Sequence, residues 1–143
     1  MSDSMNIRSL FREYTVHFTG GFQEHLHNLA AQNGFFIVDA FVWEKCADKL
    51  EDTVPQERLF MIDVNENNKS LDQCREIIET LVDRQFRRNE KLVGLGGGIT
   101  QDLTAFSASI LYRGVEWAFI PTTLLAQSDS CIGSKTSINL GDK

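Results

Sequence analysis

The sequence predicts an α/β fold in which a mostly parallel sheet carries helices on both faces. Short apolar, β-prone runs alternate along the chain with longer helical patterns, and this alternation is typical of βαβ units. With 143 residues, 42% of them hydrophobic, the chain has enough apolar material for one compact domain with its own core. Half of the ten glycines fall between Gly94 and Gly114, which is the first sign of a site.

The predicted elements follow from local composition and periodicity. Predicted strands are the runs 14–18, 35–38, 59–62, 91–95 and 117–120. Between them, helical patterns cover 23–32, 42–50, a segment that begins at Ser70, and 99–112. Gly114 is expected to end the last helix, and Pro121 to end the last strand.

The helix that begins at Ser70 has the clearest pattern. Ser70 and Gln73 have the spacing of a capping box, in which each side chain bonds the backbone amide of the other residue. A stripe at spacings of three and four then comprises Leu71, Cys74, Ile77, Ile78, Leu81 and Val82. Arg84, Arg87 and Arg88 follow, where cations complement the exposed carbonyls of a helix end.

Charge and cysteine content exclude several classes of protein. The formal net charge is −6, from 14 Lys and Arg against 20 Asp and Glu, so a general nucleic-acid-binding surface is not expected. Three cysteines without a CxxC pair indicate reduced thiols. Neither a signal-peptide pattern nor an apolar run long enough for a bilayer is present, so we expect a soluble, cytoplasmic protein without a membrane partner.

A candidate site lies where predicted strands end, because ligands of such sheets bind beyond the carboxyl ends of the strands. Gly96, Gly97 and Gly98 join a strand directly to a helix, and bare backbone amides at a helix start can approach a phosphate. The spacing fits neither GxGxxG nor the phosphate-binding loop that ends in Gly-Lys-Ser/Thr. A tight turn without a ligand explains these glycines equally well.

Two aspartates accompany these glycines. Asp102 would repel a phosphate at the helix start, so the acceptor role that fits it is toward a hydroxyl or amide of a ligand. Asp39 ends an apolar strand and could accept from ribose hydroxyls, although a capping or turn aspartate is the simpler interpretation.

A second polar segment follows the last strand. Thr122 and Thr123 place hydroxyls at the sheet edge, and Asp129, Ser130 and Lys135 follow in one loop that could hold an anion. An ordinary polar loop is the alternative. All three histidines precede this region, and no nucleophilic triad or metal cluster emerges from their spacing.

These residues occur in the order of a known family. The motifs are Asp39, Glu66-x-x-Lys69, Gly96-Gly97-Gly98-x-x-x-Asp102, Arg113-Gly114, Pro121-Thr122-Thr123-Leu124-Leu125-Ala126 and Asp129-Ser130-x-Ile132-Gly133-x-Lys135-Thr136. In this order they closely resemble the amino-terminal, Rossmann-like nucleotide-binding domain of the 3-dehydroquinate synthase family. The resemblance spans about residues 14 to 143 and is strongest after Leu92.

The resemblance implies an NAD-dependent and metal-dependent carbon–oxygen lyase of the shikimate pathway. Such an enzyme eliminates phosphate from a seven-carbon sugar-acid phosphate and closes a carbocycle, while NAD is reduced and then reoxidised. The resemblance assigns residues 1–143 to the NAD-binding domain. It places the ligands of the divalent metal, zinc or cobalt, in a helical carboxyl-terminal domain outside this chain, and it implies a homodimer.

Individual roles also follow from the resemblance. It implies NAD contacts for Asp39, Glu66, Lys69, Gly96, Gly97, Gly98, Asp102, Thr122 and Thr123. It implies that Arg113, Asp129 and Lys135 meet the phosphorylated substrate. Asp129 and Lys135 would be catalytic, and Arg113 would reach across the dimer interface.

Three positions depart from the family pattern and leave alternatives open. Phe41 stands where the family often has Asn, Ala105 where it has Gly, and Ser134 where the synthases carry a second Gly. Changes around the lysine loop also resemble related sugar-phosphate cyclases of the 2-deoxy-scyllo-inosose synthase type. The further alternatives are an iron-dependent alcohol or glycerol dehydrogenase and a non-catalytic nucleotide-binding module.

Overall fold

The computed structural model describes residues 3–8, 13–133 and 135–141, and these form six strands and four α-helices. The strands are β1 (Asp3–Arg8), β2 (Glu13–Phe18), β3 (Phe35–Asp39), β4 (Leu59–Ile62), β5 (Leu92–Gly96) and β6 (Trp117–Pro121). The helices are α1 (Gln23–Ala31), α2 (Ala40–Leu50), α3 (Leu71–Asp83) and α4 (Gly98–Ile110). None of the helices in this part of the chain combines the length and apolar character needed to span a membrane.

Four of the strands form the central sheet. Their order is β4-β3-β5-β6, and every neighbouring pair is parallel, which confirms the predicted parallel sheet. All four carboxyl ends therefore meet at one edge. The predicted strand at 14–18 is present as β2, but it pairs antiparallel with β1 in a separate hairpin. Sequence reasoning missed β1 altogether.

Alternation along β3 creates two cores, one on each face of the sheet. Phe35 and Ile37 pack in one cluster with apolar residues of α3 and α4. Phe36 and Val38 pack on the opposite face with residues of α1 and α2. Because successive strand residues point to opposite faces, a wholly apolar strand requires cover on both sides. The prediction of helices on both faces is thereby confirmed.

Helix α3 begins after Ser70, as predicted, but only one of the two hydrogen bonds of a capping box is present. Ser70 Oγ accepts a hydrogen bond from the Gln73 amide at 3.3 Å. The Gln73 side chain donates instead to Glu76, so the reciprocal bond of a full capping box is replaced by one along the helix.

The apolar stripe of α3 is narrower than its sequence pattern suggests. Cys74, Ile77 and Leu81 are buried, whereas Leu71 and Val82 at the stripe's ends are exposed. The three buried residues dock the helix against the sheet, and the two outer ones lie beyond the area that the sheet covers.

Arg84 caps the end of α3, as predicted, whereas the predicted end of α4 needs correction. Arg84 Nη1 donates to the Leu59 carbonyl at 2.7 Å, and its guanidinium lies 5.9 Å from the Phe35 ring centroid. Its side chain therefore also connects the end of α3 to β4. Helix α4 ends at Ile110, two residues earlier than predicted, and a 3₁₀ turn precedes Gly114 at φ 104°.

A largely buried ion pair links the two segments that lead into β4 and β5. Arg58 donates from both terminal nitrogens to the Glu90 carboxylate, at 3.1 and 2.6 Å. The Arg87 amide adds a third bond to Glu90, at 2.8 Å. The hydrogen-bonded Arg58 guanidinium holds the pKa of Glu90 below its ordinary value of 4.5, because its effect is larger than the opposing effect of burial.

Replacing this carboxylate should remove stability in a pH-dependent way. Because its folded-state pKa is lowered, Glu90 stabilises the fold above its unfolded pKa, and this contribution disappears as pH falls through the folded value. We expect Glu90→Gln to lower the free energy of unfolding by about 1.5–3 kcal/mol at pH 7. Urea denaturation should show the difference from wild type shrinking as pH falls below 4.5.

Glu44→Gln is the matched control, because its ion pair with Lys45 is exposed. That variant should change stability by less than about 0.5 kcal/mol. A Glu90→Gln effect as small as this, or one that grows at acid pH, would contradict the assignment.

Candidate functional site

The turn from β5 into α4 is shaped by close packing between glycines and threonines. A Cβ added at Gly94 would lie 2.7 Å from Thr104 Oγ1. One added at Gly96 would lie 2.4 Å from Thr100 Oγ1 and 3.1 Å from Asp39 Cβ. Real Cβ atoms do not approach so closely, so the packing itself requires glycine at both positions.

The next two glycines have more space. A Cβ at Gly97 would lie 3.1 Å from Thr123 Cγ2, a tight contact with a methyl group. At Gly98, the first residue of α4, the nearest described atom to an added Cβ would be Ser130 Oγ, at 3.8 Å. Packing therefore explains Gly96 well and Gly97 in part, whereas nothing in the described residues requires glycine at position 98.

Polar atoms without protein partners surround the same helix start. Among the described residues, Thr100 Oγ1, Gln101 Oε1 and Ser130 Oγ are buried and lack a hydrogen-bond partner. Such groups are uncommon in folded proteins. Together with the free amides of a helix start, the two hydroxyls are suited to a polar ligand at this edge of the sheet.

Lys69 and Asp102 form an ion pair across this region. Lys69 Nζ lies 2.7 Å from Asp102 Oδ2, and their side chains are only 15% and 17% exposed. Lys69 Nζ also donates to Ser137 Oγ at 3.0 Å. The lysine therefore neutralises the carboxylate that sequence reasoning expected to repel a phosphate.

Glu66 contacts the segment that follows Lys135. Its Oε1 accepts from Asn139 Nδ2 at 2.9 Å. The Asn139 amide donates to the Lys69 carbonyl at 2.9 Å. Residues 135–141 are thus held beside both members of the Glu66-x-x-Lys69 motif. Sequence analysis missed Ser137 and Asn139, because contacts across some seventy residues leave no local signal.

Asp39 and the two threonines lie near the glycine turn and make local bonds there. Asp39 Oδ1 accepts from the Phe41 amide at 2.9 Å and so caps α2. The Thr122 amide donates to the Gly96 carbonyl at 2.8 Å. Thr123 Oγ1 accepts from the Ala126 amide at 3.2 Å. All three residues reach the carboxyl edge, as their positions at strand ends predict.

Asp129 and Lys135 are exposed, and Asp129 lies in a single turn of π-helix, Ala126–Ser130. Its carbonyl accepts from the amides of Ile132 and Gly133, at 3.0 and 2.9 Å. Position 134, where the sequence departs from the family pattern, lies outside the described residues.

Arg113 is not brought to this site within one chain. It follows the far end of α4, whose thirteen residues separate it from the glycine turn by about 20 Å. It is exposed and has a left-handed backbone conformation, with φ 68°.

The thiols and imidazoles show no arrangement for catalysis. Burial raises the pKa of the Cys74 and Cys131 thiols, which opposes formation of a nucleophilic thiolate. His27 is engaged with the Gln23 carbonyl and the Thr53 hydroxyl. Within 3–8, 13–133 and 135–141, no group of three or more His, Cys, Asp or Glu side chains is placed to hold a metal ion.

The family model for the 3-dehydroquinate synthase N-terminal domain matches residues 59–143, which is more than half of the chain. The chain belongs to the 3-dehydroquinate synthase family. The matched stretch contains the glycine turn, the Lys69 and Asp102 pair and the loop that carries Asp129 and Lys135.

Relatives within the 3-dehydroquinate synthase family agree with this assignment. The enzyme of Acetivibrio thermocellus is 39% identical over 102 residues, covering 71% of this chain and 28% of its own length. That of Pelagibacter ubique is 48% identical over 75 residues, covering 52% of this chain and 20% of its own length. The chain thus spans less than a third of these relatives.

A solved structure shows the same fold. It is a 2-deoxy-scyllo-inosose synthase in complex with carbaglucose-6-phosphate, NAD⁺ and Co²⁺, and it matches 97% of this chain and 41% of its own. The TM-score is 0.78 at 21% sequence identity. At that identity the likeness concerns the fold, and it confirms the predicted Rossmann-like architecture.

Alanine substitutions at Gly96 and Gly98 should have different effects on the stability of the protein. Because its Cβ would overlap Thr100 Oγ1, Gly96→Ala should lower the free energy of unfolding by about 1–3 kcal/mol. Gly98→Ala, with space for a methyl group and a better helix former, should leave stability unchanged or raise it by up to about 1 kcal/mol. Urea denaturation of both variants tests this, and equal losses would contradict the packing argument.

Proposed function

We propose that this chain is the NAD-binding, amino-terminal domain of a 3-dehydroquinate synthase-like cyclase. The enzyme would eliminate phosphate from a seven-carbon sugar-acid phosphate and form a carbocycle. The observation that carries the proposal is the open space around Gly98, the first residue of α4. An added Cβ would meet no described atom nearer than the unpartnered Ser130 hydroxyl, so packing within the protein does not require glycine here. A ligand's close approach to the backbone gives this glycine a reason.

The residues present fit NAD. The amides at the start of α4 suit a pyrophosphate, because helix amides and the helix dipole both favour an anion there. Asp39, which already caps α2, retains a second carboxylate oxygen that can accept from ribose hydroxyls. The remaining proposed contacts are Glu66, Lys69, Gly96, Gly97, Asp102, Thr122 and Thr123. NAD would supply a reversible hydride acceptor.

The ion pair near α4 sets the electrostatics of this site. Lys69 offsets the charge of Asp102 at 2.7 Å, so the carboxylate does not oppose a pyrophosphate at full strength. The chain's net charge of −6 disfavours anions at long range, which leaves their binding to local donors.

We assign the phosphorylated substrate to the exposed loop that follows. Lys135 would hold an anionic group of the substrate as a point charge, and Asp129 would accept from a hydroxyl. Arg113 lies too far away to serve the same site in one chain, so a second copy in a homodimer would supply it. The divalent metal, zinc or cobalt, would be bound by residues outside this chain.

A related sugar-phosphate cyclase is the second candidate. The solved 2-deoxy-scyllo-inosose synthase shares the fold at 21% identity, whereas relatives named 3-dehydroquinate synthase reach 39% and 48% over their aligned parts. The higher identities favour the seven-carbon acid phosphate, and the choice between substrates is made by the activity test below.

Gly98→Ala tests the cofactor site directly. Because an added methyl group would occupy the approach to the α4 amides, we expect NAD affinity to fall at least about tenfold, the equivalent of roughly 1.4 kcal/mol. Calorimetric titration of NAD measures this, with Gly133→Ala, in the neighbouring loop, as control. Unchanged affinity in Gly98→Ala would refute a pyrophosphate at this turn.

The activity is tested on the full-length protein that carries this domain. With NAD, Co²⁺ or Zn²⁺ and the seven-carbon acid phosphate, it should release inorganic phosphate without net accumulation of NADH. Lys135→Ala should abolish most of this release and leave NAD affinity within about twofold, because the lysine's charge serves the substrate.

Three results would redirect the assignment. Release only from a hexose phosphate would favour the second candidate. Net NADH formation would indicate a dehydrogenase, and NAD binding without turnover of any substrate would indicate a nucleotide-binding module.

A further inference from the structure

We propose that Gln101 is a positioning residue that fixes the loop of residues 129–133, here called the Asp129 loop, against α4, the proposed cofactor-binding helix. The inference rests on the proposed function, since Asp129 is assigned there to the substrate. Gln101 belongs to the first turn of α4 and directly precedes Asp102. It has no assigned contact with NAD or substrate, and its action is through the loop that it holds.

The contact that carries this proposal is short and buried. Gln101 Nε2 donates to the Ser130 carbonyl at 2.6 Å, and the residue is only 4% exposed. Ser130 directly follows Asp129. One side chain thus connects the turn of α4 that carries Asp102 to the turn that carries Asp129.

The two polar atoms of the Gln101 side chain differ, because Nε2 donates a hydrogen bond and Oε1 accepts none within the described part of the chain. Gln101 Oε1 is buried without a partner among the described residues, and an unsatisfied buried acceptor costs stability. An apolar side chain of the same length would fill the space without that cost. Only the bond from Nε2 to the loop carbonyl offsets it.

A second contact from outside the loop also holds it. The Tyr14 hydroxyl of β2 donates to the Ile132 carbonyl, three residues beyond Asp129. Within the loop, the Ile132 and Gly133 amides bond the Asp129 carbonyl. The loop is therefore a compact turn with two external anchors, and Gln101 is the one that belongs to the cofactor-binding helix.

Such an anchor matters because catalytic groups must be held closely in place. Displacement of a catalytic group by about 1 Å can cost a hundredfold in rate. Without the Gln101 bond, the Asp129 turn would keep its internal bonds and its Tyr14 anchor but lose its fixed distance from α4. Substrate turnover should then suffer more than cofactor binding.

The test compares Gln101→Met and Gln101→Glu with Gln127→Met in the full-length protein. Met keeps the length of the side chain and removes both polar atoms, whereas Glu keeps the shape but cannot donate when ionised. Gln127 is the matched control, because its exposed amide also donates to a carbonyl, that of Pro121, at 3.3 Å.

We expect both Gln101 variants to lower kcat/KM for the phosphorylated substrate about ten- to a hundredfold. Their NAD affinity should stay within about twofold of wild type. Amide hydrogen exchange at residues 131–133 should accelerate up to about tenfold, the effect of losing one hydrogen bond. Gln127→Met should match wild type in all three measurements.

Two results would overturn the inference. One is a Gln101→Met protein whose kcat/KM and loop exchange equal those of Gln127→Met. The other is equal loss of NAD affinity and kcat/KM, which would indicate general damage to α4. Faster loop exchange in the Gln101 variants of a protein that releases no phosphate would uphold the anchor and refute the proposed function.

Discussion

The close approach of α4 to β5 is the constraint on which the rest of the site depends. Gly94 and Gly96 lack the side chains that would collide with Thr104 and Thr100, so the helix lies directly against the strand. This contact brings the start of α4 to the carboxyl edge of the sheet, beside Thr123 and Ser130. A bulkier strand would move the helix outward, and the amides, the ion pair and the loop anchor would separate.

Two ion pairs link the segments that flank β4 and β5, one pair near each end of β3. Arg58 precedes β4 and Glu90 precedes β5, whereas Lys69 follows β4 and Asp102 follows β5. Since β3 lies between β4 and β5, each pair spans the central strand, one near the amino ends and one near the carboxyl ends. Both pairs are largely buried, so salt should screen them less than exposed pairs. Two of the chain's cationic side chains, Arg58 and Lys69, are therefore engaged in ion pairs that connect the segments around β4 and β5.

Sequence reasoning predicted the features that depend on local pattern. The apolar run of β3, the Ser70 cap and the glycine turn all express themselves within a few residues. The strand β1 was missed because Asp3–Arg8 carries only two alternating apolar residues, Met5 and Ile7, which is too short a pattern to mark a half-buried strand, and all but one of its residues are exposed. The bonds of Arg84, Gln101 and Asn139 were missed because their partners lie far away in sequence. Such contacts exist only after the parallel sheet has placed its strand ends together.

Gly96 and Gly98 illustrate how differently one residue type can be justified within a single turn. At Gly96, packing against Thr100 within the protein requires glycine, so a screen of variants for stability would identify this position. At Gly98 the protein itself tolerates a side chain, so a selection for stability alone would treat the position as free. A library designed from folding data would therefore preserve the scaffold while erasing the proposed cofactor site. Only a selection that includes the ligand would detect the difference between the two.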